Sequence, residues 1–170
     1  TGSLGSSAGG LKMLREGLAF DDDTASCLRD AHNRPVPRVR EGAILRRRGV
    51  VAAIDISDGL VDDLGKLCEA SGVGAEVRTT ALPVDGRLRG AYPDEWLDMA
   101  LAGGEDYELL FTAPRRVMDR AIPALGVPVT VIGDIVEGRP EVIALDEHDE
   151  VLPAARGGWD HLDRAVGRNT

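Results

Sequence analysis

Asp55, Ser57 and Asp58 fall close together in the stretch IDISDGLVDDL, residues 54–64, which also carries Asp62 and Asp63. The apolar run VVAAIDI leads into them, and Leu60, Val61, Leu64, Leu67 and Cys68 follow at helical spacing. The pattern predicts a buried central strand over 50–56 and a helix starting near Ser57 and stopping at Gly72. Asp55 and Ser57, two apart, then share one side of the strand end, and Asp58 sits in the first helical turn. Such a junction suits phosphate and metal chemistry. Helix N-terminal N–H groups attract phosphate, carboxylates hold Mg²⁺ together with phosphate oxygens, and Gly59 lets backbone approach a ligand. The plain alternative is that Asp58 only favours the helix dipole and Ser57 only caps. That alternative leaves Asp55 unexplained, since it ends an apolar strand and caps nothing. Asp62 shares Asp58's predicted helix face and Asp63 points elsewhere; both read as solvated helix surface.

A second acidic group lies in ALAGGEDYELLF, residues 100–111, where two glycines stop a helix and acids precede an apolar strand. Glu105 or Asp106 is placed to meet a cationic or hydroxyl-bearing ligand; the alternative is a polar connection between elements. His32, His148 and His161 have no ligand-like spacing, and the arginine runs at 46–48 and 115–116 read as solvated faces.

The chain has 170 residues, enough for one domain with its own core. Aromatic residues make up only 4% against 43% hydrophobic overall, so the core is aliphatic and suits a mixture of helices and strands. A net charge of −9 disfavours nucleic acid, which demands a basic footprint. It does not exclude phosphate ligands bridged by divalent cations. No apolar run has transmembrane length. Cys27 and Cys68 are far apart and read as small apolar residues in a reducing, cytoplasmic compartment. The opening TGSLGSSAGG has no Met and reads as a loop leaving a strand, which suggests a fragment of a longer chain; the alternative is an ordinary processed terminus.

Local signals supply the remaining elements. A helix follows the first loop, capped by Ser6 or Ser7, with Leu11, Leu14 and Leu18 on one face. A second begins at Asp22, Asp23 or Thr24, an extended piece holds Pro35 and Pro37, and a third helix ends at Gly49. Residues 74–84 read as a strand with Ala75, Val77 and Thr79 on one side. Loop and helix follow to Gly103, then the strand YELLFTAP and a helix bent at Pro123. The stretch 127–138 reads as a strand pair turning at Gly133-Asp134, and residues 141–152 as a hairpin around DEHDE. The fold class is α+β, a mixed β-sheet flanked by helices in three layers.

The motifs TGSLGSSAGGL, RPVPRV, IDISDGLVDDL, GGEDYELLFT and GWDHL occur in that order. Together, over essentially the whole chain, they resemble the thiamine-monophosphate kinases, and specifically their C-terminal domain. The wider superfamily includes aminoimidazole ribonucleotide synthetase, selenophosphate synthetase and a hydrogenase maturation protein. The resemblance implies that residues 1–170 are the C-terminal domain of a two-domain enzyme whose N-terminal ATP- and Mg²⁺-binding domain is not in this chain. It implies transfer of the γ-phosphoryl group of ATP to thiamine monophosphate, several Mg²⁺ ions shared between the halves, and a homodimer formed mainly through the other half. By motif, Asp55 and Asp58 would be Mg²⁺ ligands and Ser57 would touch the ATP phosphates. Glu105 would contact the thiamine phosphate, and Trp159 would pack on its rings, where the alternative is a packed tail residue. No nucleophile or general base is implied, because the acceptor is itself an anionic phosphate. Ser6 stands where the family commonly has Asp, and Leu162 replaces a common Phe. Two other classes remain open: a related ATP-dependent synthetase with another acceptor, and a non-catalytic binding domain. The half-chain alone is expected not to turn over.

Overall fold

The structure is a computed structural model, and it describes residues 1–152. Helix α1 (Ser6–Glu16) opens the chain and packs against α2 (Asp22–Asn33). Gly5, not Ser6 or Ser7, is the N-cap of α1, and both serines lie buried in its first turn. Its inward face is Ser6, Gly9, Gly10 and Met13, whereas Leu14 and Leu18 are exposed. Gly10 lets α2 approach, since a Cβ there would lie 2.1 Å from the Leu28 carbonyl oxygen, and Gly9 makes room for the Leu88 side chain. Asp21 caps α2, its side chain accepting from the Thr24 N–H at 3.0 Å. Residues 34–38 run free of helix, as their prolines require, and α3 (Val39–Arg48) ends at Gly49 in the left-handed conformation.

Strand β1 (Ala52–Asp55) is short and is not a buried central strand. Ala53 and Asp55 face solvent, and only Ala52 and Ile54 turn inward; the fully buried residues Val50 and Ile56 lie just outside it. It pairs antiparallel with β3 (Leu109–Thr112) in a two-stranded sheet. Helix α4 (Leu60–Ser71) stops at Gly72, and its buried face is Leu60, Asp63, Leu64 and Cys68. After it comes β2 (Gly74–Arg78), the middle of a second sheet in the order β4-β2-β5. Strand β4 (Gly133–Val136) runs antiparallel to β2 and β5 (Val142–Leu145) runs parallel to it. The mixed character is therefore as expected, but the strands divide into two sheets.

Helices α5 (Gly86–Ala91) and α6 (Trp96–Ala102) connect β2 to β3, and α7 (Arg115–Ala121) follows β3. A 3₁₀ turn over Ile122–Ala124 replaces the predicted bend at Pro123. Helix α4 touches both sheets as well as α6, so it is the shared wall of the core around Leu60, Leu64, Val77, Leu101 and Leu110. A satellite cluster of Met13, Leu28, Leu88, Tyr92 and Met99 joins α1, α2, α5 and α6. Residues 127–138 hold one strand rather than a pair. Gly133 is inside β4 opposite Val77, and a Cβ there would lie 1.9 Å from the Glu76 carbonyl oxygen. The glycine serves close strand approach, not a turn. Bridge pairing of Leu145 with Val151 closes the hairpin expected around 146–150.

Gly133→Ala forces backbone apart in the middle of the second sheet. It is expected to lower stability by about 1–3 kcal/mol, read as a lower urea midpoint at unchanged slope; an unchanged midpoint would contradict this seating of β4.

Candidate functional site

The β1–β3 pairing continues past the end of β1 into both acidic motifs. Ile56 N–H donates to Glu108 O (2.9 Å), Tyr107 N–H to Ile56 O (2.8 Å) and Glu105 N–H to Ser57 O (2.9 Å). The two motifs, about fifty residues apart in sequence, therefore lie backbone to backbone. Gly59 is required at the next step: its φ is 128°, and a Cβ would sit 2.8 Å from the Ala102 carbonyl oxygen.

Asp63 holds this loop in shape. It is 1% exposed, not solvated as the sequence suggested. Its Oδ2 accepts from the N–H groups of Ser57 (2.9 Å), Asp58 (2.9 Å) and Gly59 (3.3 Å), and its Oδ1 from Lys66 Nζ (2.7 Å). Burial opposes its ionisation, but Lys66 and the backbone donors outweigh that and hold its carboxyl below the usual range. Two expectations are corrected. The helix starts at Leu60, so Asp58 lies in the loop before it rather than in its first turn. The N–H groups at 57–59, expected to meet a phosphate, already serve Asp63. The sequence carries a signal for this: Asp63 follows Leu60 by three and precedes Leu64, inside the buried stripe of α4.

Asp55 and Asp58 are exposed and Ser57 is half-buried. Asp58 is paired with Lys66 Nζ at 2.5 Å, and Asp58 first, then Asp63, raise the Lys66 ammonium above the usual lysine value. Tyr107 links the two motifs. Its hydroxyl donates to Glu105 Oε2 at 3.1 Å, and that bond, with the charges of Glu105, Asp55 and Asp58, pushes the phenol up. Asp55 and Asp58 lie on a segment paired backbone to backbone with that of Glu105. Tyr107 and Lys66 were not singled out from sequence. Trp159 lies outside the described residues.

Residues 105–108 alternate. Glu105 is exposed and Tyr107 half-exposed, both with left-handed φ (68° and 51°). Asp106 turns inward and accepts from the N–H groups of Gly5 (2.7 Å) and Ser7 (3.2 Å) at the start of α1. Burial pushes its carboxyl up to about 7, against the pull of those donors, and the charge of Glu108 adds to the rise. Between Glu105 and Asp106, therefore, Glu105 is the one exposed to solvent. Glu108 is buried and accepts from Arg38 Nε (2.8 Å), Arg38 Nη2 (2.5 Å) and Thr1 Oγ1 (2.7 Å). Burial disfavours its charge, yet Arg38 and Thr1 prevail and hold it below the usual carboxylate range. Beside this anchor a groove of about 470 Å³ runs past Ser6, Cys27, Arg38 and Asp106. It does not include Asp55, Ser57, Asp58 or Glu105.

Among the described residues no three His, Cys, Asp or Glu side chains are grouped to hold a metal ion. Asp55 and Asp58 still fit one side of an open Mg²⁺ site. They are exposed oxygen donors of the type Mg²⁺ takes alongside phosphate and water, and an ammonium already stands against Asp58.

Residues 1–146 match the family model of the AIR synthase related protein, C-terminal domain. The chain belongs to this family. As an AIR synthase related C-terminal domain it is similar to the thiamine-monophosphate kinase of Salmonella typhimurium, 47% identical over 140 residues, covering 79% of this chain and 43% of the relative. A crystal structure of thiamine-monophosphate kinase from Stenotrophomonas maltophilia K279a superposes with a TM-score of 0.76 at 38% identity, covering 84% of this chain and 48% of that one. A structure of AaThiL complexed with AMPPCP and TMP gives a TM-score of 0.78 at 30% identity, over 95% of this chain and 49% of that one. The chain spans about half the length of the relatives it matches.

Asp63→Ala strands three loop N–H groups and half of Lys66's pairing. A loss of about 3 kcal/mol in urea unfolding is expected; a loss under ~0.5 kcal/mol would mean the loop does not depend on Asp63. Glu108 supplies a pH test. Its folded pKa is depressed, so its contribution is full above the unfolded value and is lost as pH falls. Stability of the unmodified chain should drop between about pH 5 and pH 3, and Arg38→Met should flatten that slope. An identical slope in both would contradict the pairing.

Proposed function

We propose that this chain is the C-terminal half of a two-domain kinase that transfers the γ-phosphoryl group of ATP to thiamine monophosphate, giving thiamine diphosphate and ADP. The observation that carries the reading is the likeness, over 95% of the chain, to a structure holding an ATP analogue together with TMP. The 47% identity to a thiamine-monophosphate kinase supports the choice of acceptor. A cytoplasmic site of action, several Mg²⁺ ions and a homodimer built through the other half belong to the same proposal. Among the described residues no helix is long and apolar enough to cross a membrane.

In this reading Asp55 and Asp58 are Mg²⁺ ligands. Bound there, Mg²⁺ would neutralise phosphate charge and orient the triphosphate for in-line attack. Ser57 contacts a phosphate through its hydroxyl, because its N–H is committed to Asp63. Glu105 meets the thiamine moiety, whose ring is cationic and whose amino group is a donor. The left-handed backbone at 105 and 107 aims both side chains outward from a loop anchored by Asp106 and Glu108. Trp159 would stack on the thiamine rings. An acceptor phosphate oxygen forms the new O–P bond as the bond from the γ-phosphorus to the β,γ-bridging oxygen breaks. No proton need be removed from a phosphate already ionised, and no residue described here is asked to act as a base. The Tyr107 phenol, pushed up by its acidic neighbours, keeps its proton at neutral pH and stays a donor to Glu105.

The test is thiamine diphosphate formation from ATP, Mg²⁺ and thiamine monophosphate by the two-domain polypeptide, by its Asp58→Asn variant and by residues 1–170 alone. Product from the first is expected, with roughly a hundredfold loss in the variant and none from the half-chain. No product from a folded two-domain polypeptide would overturn the reading. Full activity in the variant would leave Asp58 only its structural pairing with Lys66.

A further inference from the structure

Lys66 lies on the second turn of α4, and its Nζ touches Asp58 Oδ2 at 2.5 Å and Asp63 Oδ1 at 2.7 Å. These two carboxylates differ in every other respect. Asp63 is buried and tied to three backbone N–H groups, so it cannot move without dismantling the loop. Asp58 is half exposed, and its carboxylate has no other hydrogen-bond partner among the described residues. Lys66 itself is about half exposed, on a flexible stem. One end of the bridge is fixed and the other is free to open.

We propose that Lys66 is the resident counter-ion of Asp58, and that a divalent cation binding to Asp58 exchanges with it. The proposal rests on the reading of Asp58 as a metal ligand and adds a residue which that reading leaves out. An ammonium and a divalent ion cannot both occupy one carboxylate face without strong repulsion, so binding requires the Lys66–Asp58 contact to break. The Lys66–Asp63 contact survives the exchange, because Asp63 stays in place. Lys66 thereby does two things. It screens Asp58 from the carboxylates of Asp55 and Asp62 nearby in the chain. It also sets a cost on binding a bare cation, which a cation arriving with a polyphosphate offsets by giving the released ammonium an anionic partner.

The exchange is read without turnover, using Mn²⁺ as the probe and the 170-residue chain as the protein. Free Mn²⁺ is followed by electron paramagnetic resonance for the unmodified chain and for Lys66→Met, Lys66→Arg, Lys66→Met with Asp58→Asn, and Arg115→Met. Arg115→Met makes the same change in net charge at a solvent-facing position on α7. Lys66→Met is expected to bind Mn²⁺ about tenfold more tightly than the unmodified chain. Lys66→Arg and Arg115→Met should stay at the unmodified level, and Asp58→Asn should abolish the gain. No gain in Lys66→Met, binding by none of the proteins, an equal gain in Arg115→Met, or a gain that survives Asp58→Asn would each overturn the proposal. A thermal melt of each variant checks folding, and Lys66→Arg keeps the test decisive if the Met variant loosens the loop: it should then bind no more tightly than the unmodified chain, and tighter binding would count against exchange. Failure of the kinase assay would leave this result untouched, since Mn²⁺ binding to the chain does not depend on the acceptor.

Discussion

The site depends on one buried carboxylate. Asp63 gathers the N–H groups of three successive residues onto a single oxygen. Charged acceptors make stronger hydrogen bonds than neutral ones, and here three share a desolvated oxygen. That concentration offsets the loss of hydration, which alone would expel a charge from the wall of a core. The consequence is geometric. With their N–H groups turned inward to Asp63, Ser57 and Asp58 must present their side chains from a rigid bend. It also removes a common option: a helix N-terminus that would cradle phosphate with its backbone is already filled by the protein's own anion. On this side only side chains are left facing outward.

The opposite motif solves a similar problem by alternation. Asp106 and Glu108 turn inward, one to the start of α1 and the other to Arg38, and Glu105 and Tyr107 face outward. Left-handed backbone at two non-glycine residues costs about 1 kcal/mol or more each and persists only where surroundings over-determine it. The two inward acids provide that determination. An outward-facing pair is thus maintained by an inward-facing pair.

Much of this was legible in the amino-acid order. Gly49 and Gly72 end helices where left-handed caps are needed, and the stripe Leu60, Leu64, Cys68 sets the inner face of α4. Asp55, Asp58 and Glu105 stand out as acids at element ends, and backbone pairing brings their two segments side by side. Local patterns failed where long-range packing decided. The apolar run 50–56 looks central, but its buried residues Val50 and Ile56 lie outside the strand, and among the described residues β1 has a single partner. Gly133 looks like a turn because glycine's two uses, bending and close approach, are indistinguishable without the neighbouring strand. Asp63 was misread by residue type: an aspartate in an apolar stripe is more often a solvated neighbour than a buried anchor, and its donors are backbone groups that no sequence displays.

The bonds of Asp63 span only four to six positions, whereas those of Asp106 to α1 span about a hundred. The first can close with α4 itself, on the sub-microsecond scale of helix formation. The second must wait for a long loop to be traversed. During synthesis the cradle around Asp58 can therefore mature while the loop that will carry Glu105 is still inside the ribosome, so the two faces of the site are assembled at different moments from contacts of very different reach.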